Sequence, residues 1–140
     1  MEKFMIRPQG STKWYTPRQP ISGTVAEVEK TYTADSGRNY AGEAIIKVQF
    51  MVEKFTWEVR DLTLADCALL AQLVMGRDNE LDRFEIHYVS AYYGGWRDAW
   101  FYVGKGSFQI GQVNNNTGII DKVSFNCIGV YPVTRTLIGG

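Results

Sequence analysis

Few residues in this chain could do covalent or acid–base chemistry, and their spacing limits what that chemistry could be. The single histidine, His87, stands in strand alternation beside Glu85 and Val89. A lone strand histidine is more often a solvated or structurally bonded side chain than a general base. Structural zinc takes four ligands, which Cys67, Cys127 and His87 cannot supply. The two cysteines read as reduced, buried thiols; a Cys67–Cys127 disulfide is the alternative, and it requires the helix bearing one to lie on the strand bearing the other. No Gly-x-Ser-x-Gly, Walker loop or His-Glu-x-x-His occurs. Gly104-Lys-Gly-Ser107 imitates a phosphate loop but lacks its glycine spacing and leads into Phe108-Gln-Ile110 rather than a helix, so it reads as a turn. Asn115-Asn-Thr117 fits an N-glycosylation pattern that a polar turn explains without a sugar. The expectation is a protein that is not an enzyme and holds neither cofactor nor metal.

Recognition chemistry is better represented. Thr33-Ala-Asp-Ser-Gly-Arg-Asn-Tyr-Ala-Gly42 is rich in turn formers, yet it carries Arg38 and is flanked or interrupted by Tyr32 and Tyr40, which a bare connector does not need. Tyr32, Asp35, Arg38, Asn39 and Tyr40 are therefore candidate subunit contacts, against the plainer reading of a polar turn. A second cluster, from Tyr88 to Tyr102, crowds one hairpin with aromatics, and Tyr92, Tyr93 and Trp96 fall near its tip. Core packing accounts for part of that cluster. Exposed Tyr and Trp beside Arg97 and Asp98 suit protein-interface anchors and equally suit stacking on sugar, so a carbohydrate-binding module is the competing class.

The elements that must position these residues follow from periodicity. Residues 1–24, punctuated by Pro8, Pro17 and Pro20, read as an irregular N-terminal arm. A first strand is expected over Val25–Tyr32. Ile46, Val48, Phe50 and Val52 then share one parity, and Phe55, Trp57 and Val59 share the other. The flip at Glu53-Lys54 marks either a two-residue hairpin loop or a bulge in one long strand. Thr63 caps a helix over Leu64–Met75, with Asp66 completing a capping box, Gly76 as the stop and a core stripe of Leu64, Cys67, Ala68, Ala71 and Val74 widened by Leu70 and Leu73. A charged connection leads to strands over Phe84–Val89, Ala99–Val103, Phe108–Ile110 and Val123–Val130. The fold class is thus mainly β within α+β: an antiparallel β-sandwich or bent sheet with one flanking helix. One domain spans 25–131, and 132–140 is a tail.

Composition narrows function further. With 15 basic and 15 acidic residues among 140, the chain has no global field for gripping nucleic acid or an anionic surface. Sequence-specific nucleic-acid binding is disfavoured. Its apolar runs fall well short of the roughly 20 residues of a membrane helix, and Met1-Glu-Lys-Phe-Met-Ile-Arg7 lacks a signal-peptide core, so membrane insertion and secretion are not expected.

The ordered series Asp35-Ser-Gly-Arg-Asn-x-x-Gly42, a strand ending in Trp57, Leu62-Thr63 opening a leucine-rich helix, Phe84-x-Ile-x-Tyr88, Phe101-Tyr-Val-Gly104 and Val123-Ser-Phe-Asn126 resembles a small family of tail-module proteins from bacteriophages and prophages of Gram-positive bacteria. The likeness covers roughly residues 32–130. It implies a virion structural protein, assembled in the host cytoplasm and encoded near the tape-measure and tail-tip genes. By analogy with tail-tube and distal-tail proteins, it further implies a β-sandwich with a flanking helix in a six-membered ring of identical subunits around the DNA channel. Tail-tip or distal-tail subunit is the leading expectation, followed by tail-tube subunit and head–tail connector. Its partners would be further copies of itself and neighbouring tube, tape-measure or hub proteins.

Overall fold

Alternating apolar residues dictate strands along most of this chain, and the described residues form ten elements: β1 (Met5–Pro8), β2 (Ala26–Tyr32), β3 (Gly37–Arg38), β4 (Ala44–Ile45), β5 (Val48–Thr63), α1 (Leu64–Met75), β6 (Phe84–Ser90), β7 (Gly95–Tyr102), β8 (Gly106–Asn114) and β9 (Thr117–Gly129). The computed structural model describes residues 2–32, 36–38, 40–45, 48–75, 83–114 and 117–133. A seven-stranded antiparallel sheet runs β1-β6-β7-β9-β5-β2, with β8 alongside β9, and β3 and β4 pair separately. It is the bent-sheet form of the expected architecture.

The bend comes from strands that change partners along their length. β5 pairs with β2 through its first half, from Tyr32↔Val48 to Ala26↔Phe55, and with β9 through its second, from Lys54↔Ile128 to Thr63↔Ile119. β7 pairs with β6 from Ser90↔Gly95 to Phe84↔Phe101 and touches β9 only at Phe101↔Gly129 and Tyr102↔Ile128. β8 then takes over the same edge of β9 from Gly106↔Phe125. The Gly104-Lys-Gly106 segment is therefore the joint where one strand path passes from β6 to β9, consistent with its reading as a turn.

Neither a hairpin nor a bulge lies at Glu53-Lys54. The β2–β5 register runs unbroken through Val28↔Glu53 and Glu27↔Lys54, so β5 is one continuous strand. Two faces of that strand explain the change of parity: Phe55, Trp57 and Val59 enter the core, while Phe50 lies exposed beyond the reach of β9. The real inversion comes later, at Asp61, whose φ of 56° is left-handed. Val59 and Leu62 are both fully buried across this point, as are Val123 and, nearly so, Ile120 opposite, while the β5–β9 pairing keeps its register. One residue in each strand is skipped, and both strands turn their inward side together.

The arm is not irregular throughout. Met5–Pro8 joins the sheet beside β6, and Ile6 is fully buried between Ile86 and the helix layer. Proline punctuation at positions 8, 17 and 20 limits the strand to four residues without preventing it. Beyond it, Tyr15 exchanges backbone hydrogen bonds with Ile6 at 2.8 and 2.9 Å, and the Gln19 amide brackets the Phe4 backbone at 2.7 and 2.9 Å. Helix α1 starts as expected, with the Asp66 amide donating to Thr63 Oγ1 at 3.2 Å. Cys67, Leu70, Leu73 and Val74 face the core, and Leu64 and Ala71 pack at its rim. Ala68 is exposed, because the helix rolls toward its leucines. The expected stop at Gly76 lies outside the described residues. Trp57, Phe101 and Phe125 fill the centre, with the Trp57 indole N–H donating to the Arg18 carbonyl at 3.2 Å.

Candidate functional site

The loop expected to contact a neighbour contains structure of its own. β3 and β4 pair through Gly37↔Ile45 and Arg38↔Ala44, and Arg38 Nη1 donates to the Gly42 carbonyl at 2.8 Å, closing the turn between them. Tyr40 projects fully into solvent at its tip. Gly42 adopts φ 81°, a conformation that suits glycine and lets the chain turn back. Asp35 and Asn39 lie outside the described residues, and Tyr32 ends β2. Arg38 and Tyr40 thus share one small exposed hairpin.

The aromatic hairpin splits its side chains between two faces. Ser90, Tyr88 and Arg97 point inward with Tyr93, whose ring lies 3.9 Å from the Arg97 guanidinium. Trp96 points outward, stacked on His87 at 5.1 Å and edge-on to Phe4 at 5.3 Å. Tyr92 meets Tyr93 edge-to-face at 5.1 Å within the turn that Gly94 closes onto Ser90. Tyr92 and Trp96 are exposed and Tyr93 is half-buried. The three rings form no common platform of the kind a sugar ring stacks on. The chain matches no protein-family model, and it has no match among curated proteins.

Behind the hairpin, Glu53 is a polar node. Its carboxylate accepts from the Tyr88 hydroxyl at 2.7 Å and from Ser90 Oγ at 2.8 Å, and Ser90 Oγ accepts from the Tyr93 amide at 3.0 Å. Burial first, and the Glu53 carboxylate second, push the Tyr88 hydroxyl far above its ordinary range and keep it a donor. A cavity of about 180 Å³ opens beside this node, lined by Tyr93, Arg97 and Tyr131 among others. Both carboxylate oxygens are already engaged, so the node braces β5 against the β6–β7 hairpin.

The outer face of β6 and β7 holds charge chemistry that sequence reading missed. His87 lies between two carboxylates: Nε2 is 2.5 Å from Glu2 and Nδ1 is 2.5 Å from Asp98. Hydrogen bonding to Glu2, then to Asp98, raises the imidazole above its ordinary pKa against the opposing effect of desolvation. One strand step away, Arg7 binds Glu85 through Nε at 2.8 Å and Nη2 at 2.5 Å, with its guanidinium 5.2 and 5.6 Å from the Trp100 and Trp14 rings. Strand alternation was the available signal, since Glu85, His87, Asp98 and Trp100 share one parity class across the paired strands. Glu2 and Arg7 come from a segment that carried no strand signal, so their arrival on this face was not legible. Together they fasten the arm to the sheet.

Cys67 and Cys127 are buried free thiols, both pushed up in pKa by burial. Burial disfavours their thiolate forms, which lowers their nucleophilicity. Among the described residues no group of three His, Cys, Asp or Glu side chains is placed to hold a metal, and no helix is long and apolar enough to cross a membrane.

Proposed function

We propose that this chain is a structural subunit of a bacteriophage tail, one of six copies in a tail-tip or distal-tail ring around the DNA channel. The observation that carries this reading is the number of apolar side chains left exposed on the outer strands of the sheet. Val25, Val28 and Phe50 are exposed near β2, and Phe108, Ile110, Val113 and Ile119 are exposed on the β8–β9 ribbon. Exposed apolar side chains on the outer strands suit contact with a neighbour, and a net charge of zero leaves nothing to hold copies apart. The motif series that resembles tail-module proteins supplies the kind of assembly. Several of its residues, Trp57, Thr63, Phe84, Ile86, Tyr88, Phe101, Val123 and Phe125, cap the helix or fill the core. This supports a shared fold more directly than a shared position in the tail.

Immunogold labelling of purified tailed particles with antibody to this chain tests the reading. Label at the distal end of the tail is expected. Label along the whole tail makes the chain the tube subunit, label at the neck makes it a connector, and particles without label overturn a tail role. The flanking genes provide a second check, with tape-measure and tail-tip genes expected on either side.

A further inference from the structure

His87 meets a carboxylate at each of its ring nitrogens, Glu2 at Nε2 and Asp98 at Nδ1, both at 2.5 Å. An imidazolium has two N–H donors and satisfies both carboxylates. A neutral imidazole has only one, so one carboxylate is left facing a nitrogen lone pair. The two carboxylates are not held alike. Asp98 lies directly opposite His87 in the β6–β7 register, where the sheet fixes its backbone. Glu2 precedes Met5, the first paired residue of β1, and its side chain is more than half exposed. Between Glu2 and β1, Phe4 is anchored twice. The Gln19 amide brackets its backbone at 2.7 and 2.9 Å, and the Trp96 and Trp57 rings lie 5.3 and 5.8 Å from its own.

We infer that Glu2 and Lys3 form a proton-operated latch, closed over His87 while the imidazole carries two protons and released, with Phe4 as the fixed point, when it carries one. The single remaining N–H stays with Asp98, whose short side chain is held by a paired strand. Glu2 has the longer side chain on the freer segment, and water replaces its lost donor. Other charges near the ring have their own partners or face solvent. Arg7 and Glu85 on the same face bind each other, Lys13 is turned to the Tyr15 ring and Lys3 is exposed. Met5, Trp14 and Trp96 complete the surroundings without charge. The raised pKa of the imidazole agrees with this geometry and places the switch above the ordinary value of about 6.5. β1 stays on the sheet in both states, held by the buried Ile6 and by the Arg7–Glu85 pair. What changes is the Nε2 edge of an imidazole stacked on the exposed Trp96, covered by Glu2 at low pH and open to solvent at high pH.

The test uses the full chain labelled with carbon-13 and nitrogen-15, followed by carbon-detected NMR from about pH 5.5 to about pH 8.5, the range in which histidine titrates. Ring-nitrogen shifts report the protonation of His87, and backbone relaxation reports the order of the arm. In wild type the order parameters of Glu2 and Lys3 are expected to fall below about 0.6 as His87 loses its proton, while those of Ile6 and Arg7 stay near about 0.85. His87→Gln and Glu2→Gln should show no such step. The amino terminus titrates equally in His87→Gln, so a step missing from that variant belongs to the imidazole. Asp98→Asn tests the competition itself. Its amide can donate to Nδ1 and leaves the one N–H of the neutral ring for Glu2, so the latch should stay closed throughout. Order at Glu2 and Lys3 that does not change through the wild-type titration, a step that survives in His87→Gln, or a step unchanged in Asp98→Asn overturns the latch.

Discussion

At the scale of single residues, His87 is the most consequential, a structurally bonded histidine rather than a solvated one. A histidine gripped by Glu2 and Asp98 gains two partners for its charged form, and its folded pKa rises above the unfolded value of about 6.5. A raised histidine pKa means that the folded state binds the proton more tightly. Its contribution to stability is complete below about pH 6.5 and is lost as pH rises through the folded value. The urea midpoint of wild type should therefore fall between pH 6 and pH 8, while that of His87→Gln stays flatter across the same window. The thiols of Cys67 and Cys127 begin to ionise in the unfolded state toward pH 8, since their ordinary value is about 8.5, but they do so equally in both proteins, so the difference between the two slopes belongs to His87. A wild-type slope equal to that of His87→Gln would show that the clasp adds nothing.

Among the elements, β5 and α1 set the geometry. The left-handed Asp61 turns the inward side of β5 over just before Thr63 caps the helix, so that Leu62 reaches the core and α1 begins on the correct side of the sheet. Asp tolerates this conformation and a β-branched residue does not, so Asp61→Val should destabilise by about 1–2 kcal/mol while Asp61→Gly is nearly neutral. Chemical denaturation of the two variants separates backbone strain from loss of the carboxylate, since only strain spares glycine. On the helix, Leu70 is fully buried, and Leu70→Asp places an unpaired carboxylate among apolar side chains. That costs several kcal/mol, a large share of the roughly 5–15 kcal/mol that holds a domain together. Soluble folded protein should be lost, and a cooperative melt near that of wild type would remove this helix face from the core.

For the whole molecule, stability and assembly should come apart. Arg38 sits on an exposed hairpin, and its bond to the Gly42 carbonyl stays within that hairpin. Arg38→Glu should leave the melting temperature within a degree or two of wild type, as exposed charges contribute about 0–1 kcal/mol. Ring formation should weaken if this charge meets an acidic patch on a neighbour. Electron microscopy of the variant decides, and normal rings with Tyr40 in solvent would return the hairpin to a simple connector.

Period-two alternation determined the strands around Phe55–Val59, Phe84–Tyr88 and Val123–Cys127, and capping chemistry at Thr63 determined where α1 begins, because both signals are local. The mainly β architecture with one flanking helix followed from them. Tertiary structure decided what local patterns cannot encode. The change of parity near Glu53 looked like a turn because alternation records which side is apolar, not which neighbour covers it, and β5 exchanges β2 for β9 at that point. The arm looked irregular because four residues ending in Pro8 carry little periodicity, yet a groove beside β6 accepts Ile6 and fixes them. The candidate contacts were legible as residue types, whereas their grouping was not. Strand pairing sends Trp96 to one face and Tyr93 to the other, and brings Glu2 to His87 from the far end of the sequence.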